Sequence, residues 1–371
     1  MTDKTKRKIL KYLPISIFGS LYGCKSQNKD VVKTNNAPKK IINLKMVTSF
    51  PRNLPGADLP AQKLAEKINI MSSGEINIKH YAAGELVPAL EVFDAVSNGV
   101  VDCGVSAPFY WSSKNNAIPF FCSIPGGMTA RELFSWLTQF KGQELWDNLY
   151  SSFNLKGFPM GETGTTMGGW FNKEINEIKD FKGIKMRIPG LGGEVINRLG
   201  GTAINIPGNE VINSLKLGII DAAEWAGPWP DIAMGFHKVT KYYYGPGVHE
   251  PSTLNEFIIN KKTWDKLSLR LKIIIQNACY ANYIEGLSES FSNNARSLEI
   301  LINKKDIIIR NYPEEVIYKM LKLSYEIVKE KTKEEKEYAE IYESWINAIK
   351  LFSKYHNYSE NKYLNYRKKF F

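Results

Sequence analysis

No run of apolar residues reaches the roughly 18 that a membrane-spanning helix needs. The longest, residues 11–23, is interrupted by Pro14 and small residues, which excludes an integral channel or transporter. Cysteine and histidine are scarce, with four of each in 371 residues. There is no CxxC, HExxH or GxSxG, and His80, His237, His249 and His356 share no ligand spacing, so no zinc site, nucleotide-binding loop or hydrolase nucleophile is specified. A basic stripe with regularly spaced aromatics is also missing. The net charge is +11, yet five of the basic residues crowd into positions 4–11 and the others are mixed with Asn, Ile and Glu. Nucleic acid is therefore not an expected partner. What is present is 43% hydrophobic and 23% charged residues, the balance of a globular chain long enough for about two domains of roughly 150 residues.

The amino terminus has the order of a secretory signal: a basic stretch at 4–11, a short apolar stretch at 12–21, then Leu21-Tyr22-Gly23-Cys24 and a polar tract to residue 40. The ending resembles the lipobox of bacterial lipoproteins, which implies lipidation at Cys24. The alternative is ordinary cleavage near Gly23. Either route exports the chain to the periplasm, with residues 25–40 as a tether. If Cys24 is lipidated, Cys103, Cys122 and Cys279 remain, an odd number in apolar settings, and they are expected to be buried structural thiols.

Residues 40–49 read as a buried strand, 58–71 as an amphipathic helix, 75–81 as an alternating strand, 89–97 as a helix ending at Gly99, and 100–105 as an apolar strand. The same plan recurs as strand 185–188, helix 192–199, strand 202–206, a helix from Pro207 ending at Gly218, and strand 219–223. Residues 95–102 and 214–221 match in role and nearly in type: a helix closing on Gly, two β-branched residues, then Asp102 or Asp221. The order β-α-β-α-β implies parallel pairing with right-handed crossovers. The expected fold is α/β, a two-lobed venus-flytrap binding protein with a ligand in the cleft, at the carboxyl ends of the strands. The expected layout is a signal at 1–24, a tether at 25–40, lobe one from 41–158 and 261–312, lobe two with its hinge crossings from 159–260, the chain returning through the strand-like run 254–260, and a long helix with tail at 313–371.

Three stretches carry a family resemblance: Gly164-Thr165-Thr166-Met167-Gly168-Gly169-Trp170-Phe171, then Asp180-Phe181-Lys182-Gly183-Ile184-Lys185-Met186-Arg187-Ile188-Pro189-Gly190, then Leu217-Gly218-Ile219-Ile220-Asp221-Ala222-Ala223-Glu224-Trp225-Ala226-Gly227-Pro228. In this order they resemble the signature stretches of DctP-type substrate-binding proteins of TRAP (tripartite ATP-independent periplasmic) transporters, nearest to the branch that binds 2-oxo acids and lactate. The resemblance spans about residues 43–310. It implies a non-enzymatic extracytoplasmic receptor that delivers a small carboxylate to TRAP membrane subunits. The runner-up is an exported lyase or hydrolase using Glu224 and Arg187.

Arg187 ends a strand before Pro189-Gly190, and its planar fork of donors matches a carboxylate as lysine cannot. It resembles the family's carboxylate-binding arginine. Glu224 and Trp225 follow the strand 219–223. In the keto-acid branch the matching Glu, the carbonyl of the following Trp and a Gln hold a metal ion together with the ligand, and oxygen donors of that kind suit Na+ or Ca2+. Thr166 stands where the Gln is expected, and Glu224 has the alternative role of offsetting Arg187. Tyr110 is the expected hydroxyl contact from the opposite lobe, with Trp111 and Phe257 closing the pocket; Trp170, Trp229 and Glu250 are weaker candidates.

Val316, Met320, Leu323 and Ile327 form a helical seam that Tyr338, Tyr342, Trp345, Ile349 and Phe352 resume, while 329–337 is wholly polar. About 40 residues of helix span about 60 Å. Such a helix either packs back along its own molecule or docks on a second subunit, the latter resembling the exchanged-helix homodimers of this branch.

Overall fold

The computed structural model describes residues 41–371, so Cys24 and the expected signal and tether lie outside the described residues. The strands are β1 (Ile42–Thr48), β2 (Ile76–Tyr81), β3 (Cys103–Ser106), β4 (Leu155–Glu162), β5 (Gly169–Phe171), β6 (Lys185–Arg187), β7 (Thr202–Ile204), β8 (Ala222–Ala223), β9 (Tyr242–Gly245), β10 (Leu254–Asn260) and β11 (Ile308–Asn311). The helices are α1 (Asp58–Met71), α2 (Val92–Ser97), α3 (Ala130–Gln139), α4 (Gly142–Ser151), α5 (Gly190–Arg198), α6 (Gly208–Lys216), α7 (Pro228–Met234), α8 (Lys261–Asp265), α9 (Leu269–Ile302), α10 (Glu314–Lys331), α11 (Lys336–Tyr358) and α12 (Glu360–Arg367).

Two sheets carry the two lobes, one ordered β2-β1-β3-β10-β4 and the other β11-β9-β5-β8-β6-β7. The repeat read in the sequence is real topology. In the first lobe β1 lies between β2 and β3, parallel to both; in the second, β6 lies between β7 and β8, again parallel to both. The two matched aspartates do the same job. Asp102 accepts from the backbone N–H of Lys45 at 2.8 Å, and Asp221 accepts from that of Lys185 at 2.8 Å. Each carboxylate bonds the residue just before parallel pairing begins, β1 with β3 from Met46–Cys103 and β6 with β8 from Met186–Ala222, which is why an Asp follows two β-branched residues in both places.

Several expected boundaries move. β4 runs to Glu162 and β10 from Leu254, and the two pair antiparallel inside the first sheet, so 159–162 belongs to the first lobe and 254–260, the expected strand-like return crossing, is a full strand of the first sheet. β11 adds to the edge of the second sheet beside β9, so 308–311 does not complete lobe one. A 34-residue helix, α9, links them: it packs on α1 and β4 in the first lobe and reaches α7 and β11 in the second. Cys103, Cys122 and Cys279 are buried free thiols, and burial pushes all three above the usual thiol range.

The C-terminal helical arm is present and broken at residues 332–335, inside the polar stretch, where no apolar face exists to hold a continuous helix down. α10 buries Val316, Met320, Leu323 and Ile327 against α5 of the second lobe. α11 buries Tyr338, Ile341, Trp345 and Ala348 against α3 and α4 beside the first sheet, with the Trp345 ring 5.4 Å from that of Phe120. The arm thus straps both lobes of its own chain.

Candidate functional site

The carboxyl ends of β6 and β8 meet at the cleft, and their register is fixed where the backbone N–H of Glu224 donates to the carbonyl of Arg187 at 3.1 Å. That register aims both side chains at the same point. Arg187 is 1% exposed and Glu224 fully buried. The Arg187 Nη1 donates to Glu224 Oε1 at 2.5 Å and to the Glu224 carbonyl at 2.9 Å, Nε reaches the Ile206 carbonyl at 3.4 Å, and the guanidinium stacks 4.8 Å from the centroid of the Trp225 ring. Nη2 turns to the other lobe and meets the Tyr110 hydroxyl at 3.3 Å.

Tyr110 lies in the 3-10 turn Pro108–Trp111 that follows β3, the first-lobe counterpart of the turn after β8. Burial pushes its hydroxyl up to about 12, so it stays a neutral donor at any physiological pH. Between the lobes is a pocket with about 370 Å³ of space outside the atoms, its mouth included. Phe50, Phe109, Tyr110, Trp225, Pro230 and Asn255 line it, and among the described residues Arg187 is the one cationic side chain in the lining. Gly190 takes φ +61° directly against Phe109; a Cβ there would come within 3.1 Å of the Phe109 Cβ, so glycine lets the lobes approach.

Behind Arg187 stands a second group. Donor atoms of Glu224, His249 and Glu250 lie within 4.8 Å of one another, with His249 Nε2 3.4 Å from Glu224 Oε2. The Glu250 carboxyl is held well above the carboxylate range, chiefly by burial and then by the charge of Glu224. Thr253 donates its hydroxyl to the Glu250 carboxylate, and Thr166 donates its own to the Glu250 carbonyl. Thr166 is therefore in this corner, with its hydroxyl engaged by backbone.

Arg187, Tyr110, Glu224, Trp225 and Thr166 thus converge. Trp111 and Phe257 do not line the pocket. The Trp111 indole donates to Glu256 at 2.8 Å in the first-lobe interior, and Phe257 is wholly buried in that lobe's core; Phe109 and Tyr110 form the wall instead. Trp170 is likewise core, stacked 3.9 Å from Tyr243 and donating to Asp231, a carboxyl that also holds the Ala226 N–H and so fixes the loop after Trp225. Trp229 donates its backbone N–H to Asn294. The sequence reading missed Phe50, Asn255 and His249. Phe50 was findable, since it follows the end of β1 at the face where ligands bind in such sheets. Asn255 was not, because nothing local marks which face of the returning strand meets the cleft.

Residues 57–335 match the family described as bacterial extracellular solute-binding protein, family 7 (DctP). A monocarboxylate 2-oxoacid-binding periplasmic protein of Nostoc sp. is 35% identical over 325 residues, 88% of this chain and 89% of its own length. Among solved structures, a TRAP periplasmic solute-binding protein from Pseudoalteromonas atlantica with bound sodium and pyruvate superposes with a TM-score of 0.85 at 34% identity, over 88% of this chain and 99% of the other. A TRAP solute-binding protein from Bordetella bronchiseptica, a dimer with calcium and picolinate in one active site, gives 0.86 at 31% identity over 89% and 98%. These relatives are receptors, and nothing among them supports a lyase or hydrolase. The two-lobed fold, the ordered motifs and these likenesses agree: the chain belongs to the DctP family of extracellular solute-binding proteins.

Proposed function

We propose that this protein is a periplasmic receptor that closes on a small monocarboxylate 2-oxo acid such as pyruvate, together with Na+ or Ca2+, and presents it to the membrane subunits of a TRAP transporter. The observation that carries the reading is Arg187: a guanidinium buried at the interlobe pocket, one fork anchored to Glu224 and the other turned to Tyr110 and the cleft. The other described residues of the lining are apolar or, as Tyr110, Thr163, Thr253 and Asn255, neutral and polar, so among them no second cation is offered to a dicarboxylate.

The donor set fits a hard cation. Two buried carboxyl groups, Glu224 and Glu250, face one arginine; Arg187 offsets the charge of Glu224, and a cation between the two carboxyl groups would take the place of the proton that burial and Glu224 favour on Glu250. The Glu224 and Glu250 carboxylates, with the Trp225 carbonyl, are the groups that would hold it. When bound, the ion supplies a second electrostatic anchor for the carboxylate and the adjacent 2-oxo oxygen. Arg187 and Tyr110 orient the same carboxylate, and Phe50, Phe109 and Trp225 exclude water from its apolar end.

Lipid anchoring through Cys24 is part of the proposal, tested by loss of metabolic lipid labelling in Cys24→Ser. Dimerisation through the C-terminal arm is not, because α10 and α11 bury their main apolar faces on their own lobes. Calorimetric titration with pyruvate in sodium or calcium buffer is expected to show saturable binding that weakens after cation removal. Absence of pyruvate binding with either cation overturns the reading, and consumption of pyruvate detected by mass spectrometry turns it towards an enzyme.

A further inference from the structure

The first lobe covers only part of the length of α11. Tyr338, Ile341, Trp345 and Ala348 are buried against it. Further along, Leu351, Tyr355 and Tyr358, spaced i, i+4, i+7, are 54%, 69% and 91% exposed. The aromatic character continues beyond the helix end: Tyr363 and Tyr366 on α12 are 61% and 55% exposed, and Phe370 and Phe371 stand almost wholly in solvent. No residue of α12 is buried.

The charges are as one-sided as the apolar groups are exposed. Residues 350–371 contain Lys350, Lys354, Lys362, Arg367, Lys368 and Lys369 against one acid, Glu360, and that acid is bonded to Arg131. The cations lie among the rings: Lys362 Nζ is 5.5 Å from the Tyr366 centroid, the Arg367 guanidinium 5.6 Å from that of Tyr363, and Lys369 Nζ 5.7 Å from that of Tyr366. The cores of protein interfaces favour tyrosine but are depleted of lysine. Tyrosine alternating with lysine and arginine is the chemistry of a bilayer–water boundary, where rings lie at headgroup depth and cations reach anionic phosphates.

We propose that residues 350–371 dock the protein on the surface of an anionic phospholipid bilayer. The contact is peripheral, with rings partly inserted and cations on the headgroups, and it needs no spanning segment. Its consequence for a receptor that serves a membrane transporter is to confine the search for that transporter to the membrane plane.

The test is co-sedimentation of the full chain with large vesicles, either phosphatidylcholine alone or phosphatidylcholine with roughly a third phosphatidylglycerol. The expected result is binding to the anionic vesicles that falls as NaCl is raised from about 50 to about 300 mM. The triple variant Arg367→Glu/Lys368→Glu/Lys369→Glu is expected to bind them roughly 100-fold more weakly or less. A second variant, Tyr358→Ser/Tyr363→Ser, is expected to lose about tenfold with its salt dependence unchanged. The first 40 residues are common to all three proteins and cancel, and every altered side chain is exposed, so folding is retained. Equal binding by parent and triple variant, or equal binding of the parent to both vesicle types, overturns the proposal. So does sedimentation equilibrium showing a parent dimer that the triple variant dissociates, which assigns the patch to a second copy of this chain.

Discussion

Replacing Arg187 with lysine separates charge from geometry at the site. The guanidinium makes four polar contacts, to Glu224 Oε1, the Glu224 carbonyl, the Ile206 carbonyl and the Tyr110 hydroxyl, and stacks on Trp225. An ammonium is a compact point charge whose donors share one centre. If it stays with Glu224, as a buried carboxylate demands, it cannot also reach across to a ligand carboxylate beside Tyr110. The variant therefore keeps the ion pair and forfeits about one charged hydrogen bond to the ligand plus the stacking, together about 3 kcal/mol. That corresponds to roughly 100-fold in Kd. Calorimetry with pyruvate measures the loss directly, and a thermal melt of the ligand-free variant checks that the pair with Glu224 survives. Affinity within about threefold of the parent would refute a bidentate role for Arg187. Arg187→Met is a different perturbation. It strands the buried Glu224 and is expected to cost about 3–5 kcal/mol of stability, read as a lower urea midpoint.

Tyr110→Phe removes one neutral donor and keeps the ring, so pyruvate binding is expected to weaken by about 1 kcal/mol in calorimetry. Glu250→Gln halves the carboxylate pair and is expected to abolish the difference in pyruvate affinity between sodium-free and sodium buffer; an unchanged difference removes Glu250 from the cation site. Thr166→Gln restores an amide oxygen beside the Glu250 carbonyl and is expected to tighten cation-dependent binding by the same measurement. The remaining prediction concerns pH. Burial pushes Glu162 up to about 8 and Glu256 and Asp231 to about 7. Unfolded, these groups release their protons near 4 to 4.5. The folded chain thus holds more protons between about pH 4.5 and 8, and its stability falls as pH rises through that window. The melting temperature should be lower at pH 8.5 than at pH 5.5, with a smaller difference in Glu162→Gln, and a temperature that rises with pH would contradict this account.

How much was legible in the sequence follows from the range of the interaction concerned. The repeat was legible because each helix, its closing glycine, two β-branched residues and an aspartate are adjacent in the chain, and the structure gives Asp102 and Asp221 equivalent backbone partners, the N–H of Lys45 and that of Lys185. Arg187, Glu224 and Trp225 were legible for a related reason: strand ends place residues at the cleft whatever the rest of the lobe does. Trp111 and Phe257 fail where facing decides. Trp111 is one residue beyond Tyr110, yet its indole turns inward to Glu256, because a buried carboxyl at the back of the sheet needs a donor and an aromatic N–H supplies it. β11 fails for want of local information, since a short strand such as Ile308-Ile309-Arg310-Asn311 after a long helix suits the edge of either sheet and only the course of α9 selects the second.

The break in the C-terminal arm joins these two kinds of outcome. The seam at 316–327 and its resumption near 338 were visible as periodicity, and so was the polar interval between them. Periodicity alone leaves a straight helix equally acceptable, reaching past its own lobes to another subunit. What decides is that the faces buried by α10 and α11 lie on different lobes, α5 on one side and α3 with α4 on the other. A single rigid rod could serve both surfaces only if they were collinear. The four residues at 332–335 relax that demand, so the arm can remain seated on each lobe separately while the Arg187 and Tyr110 sides of the cleft change their separation. With that break the arm adds no second continuous helix beside α9 between the two lobes, which suits a receptor that must open.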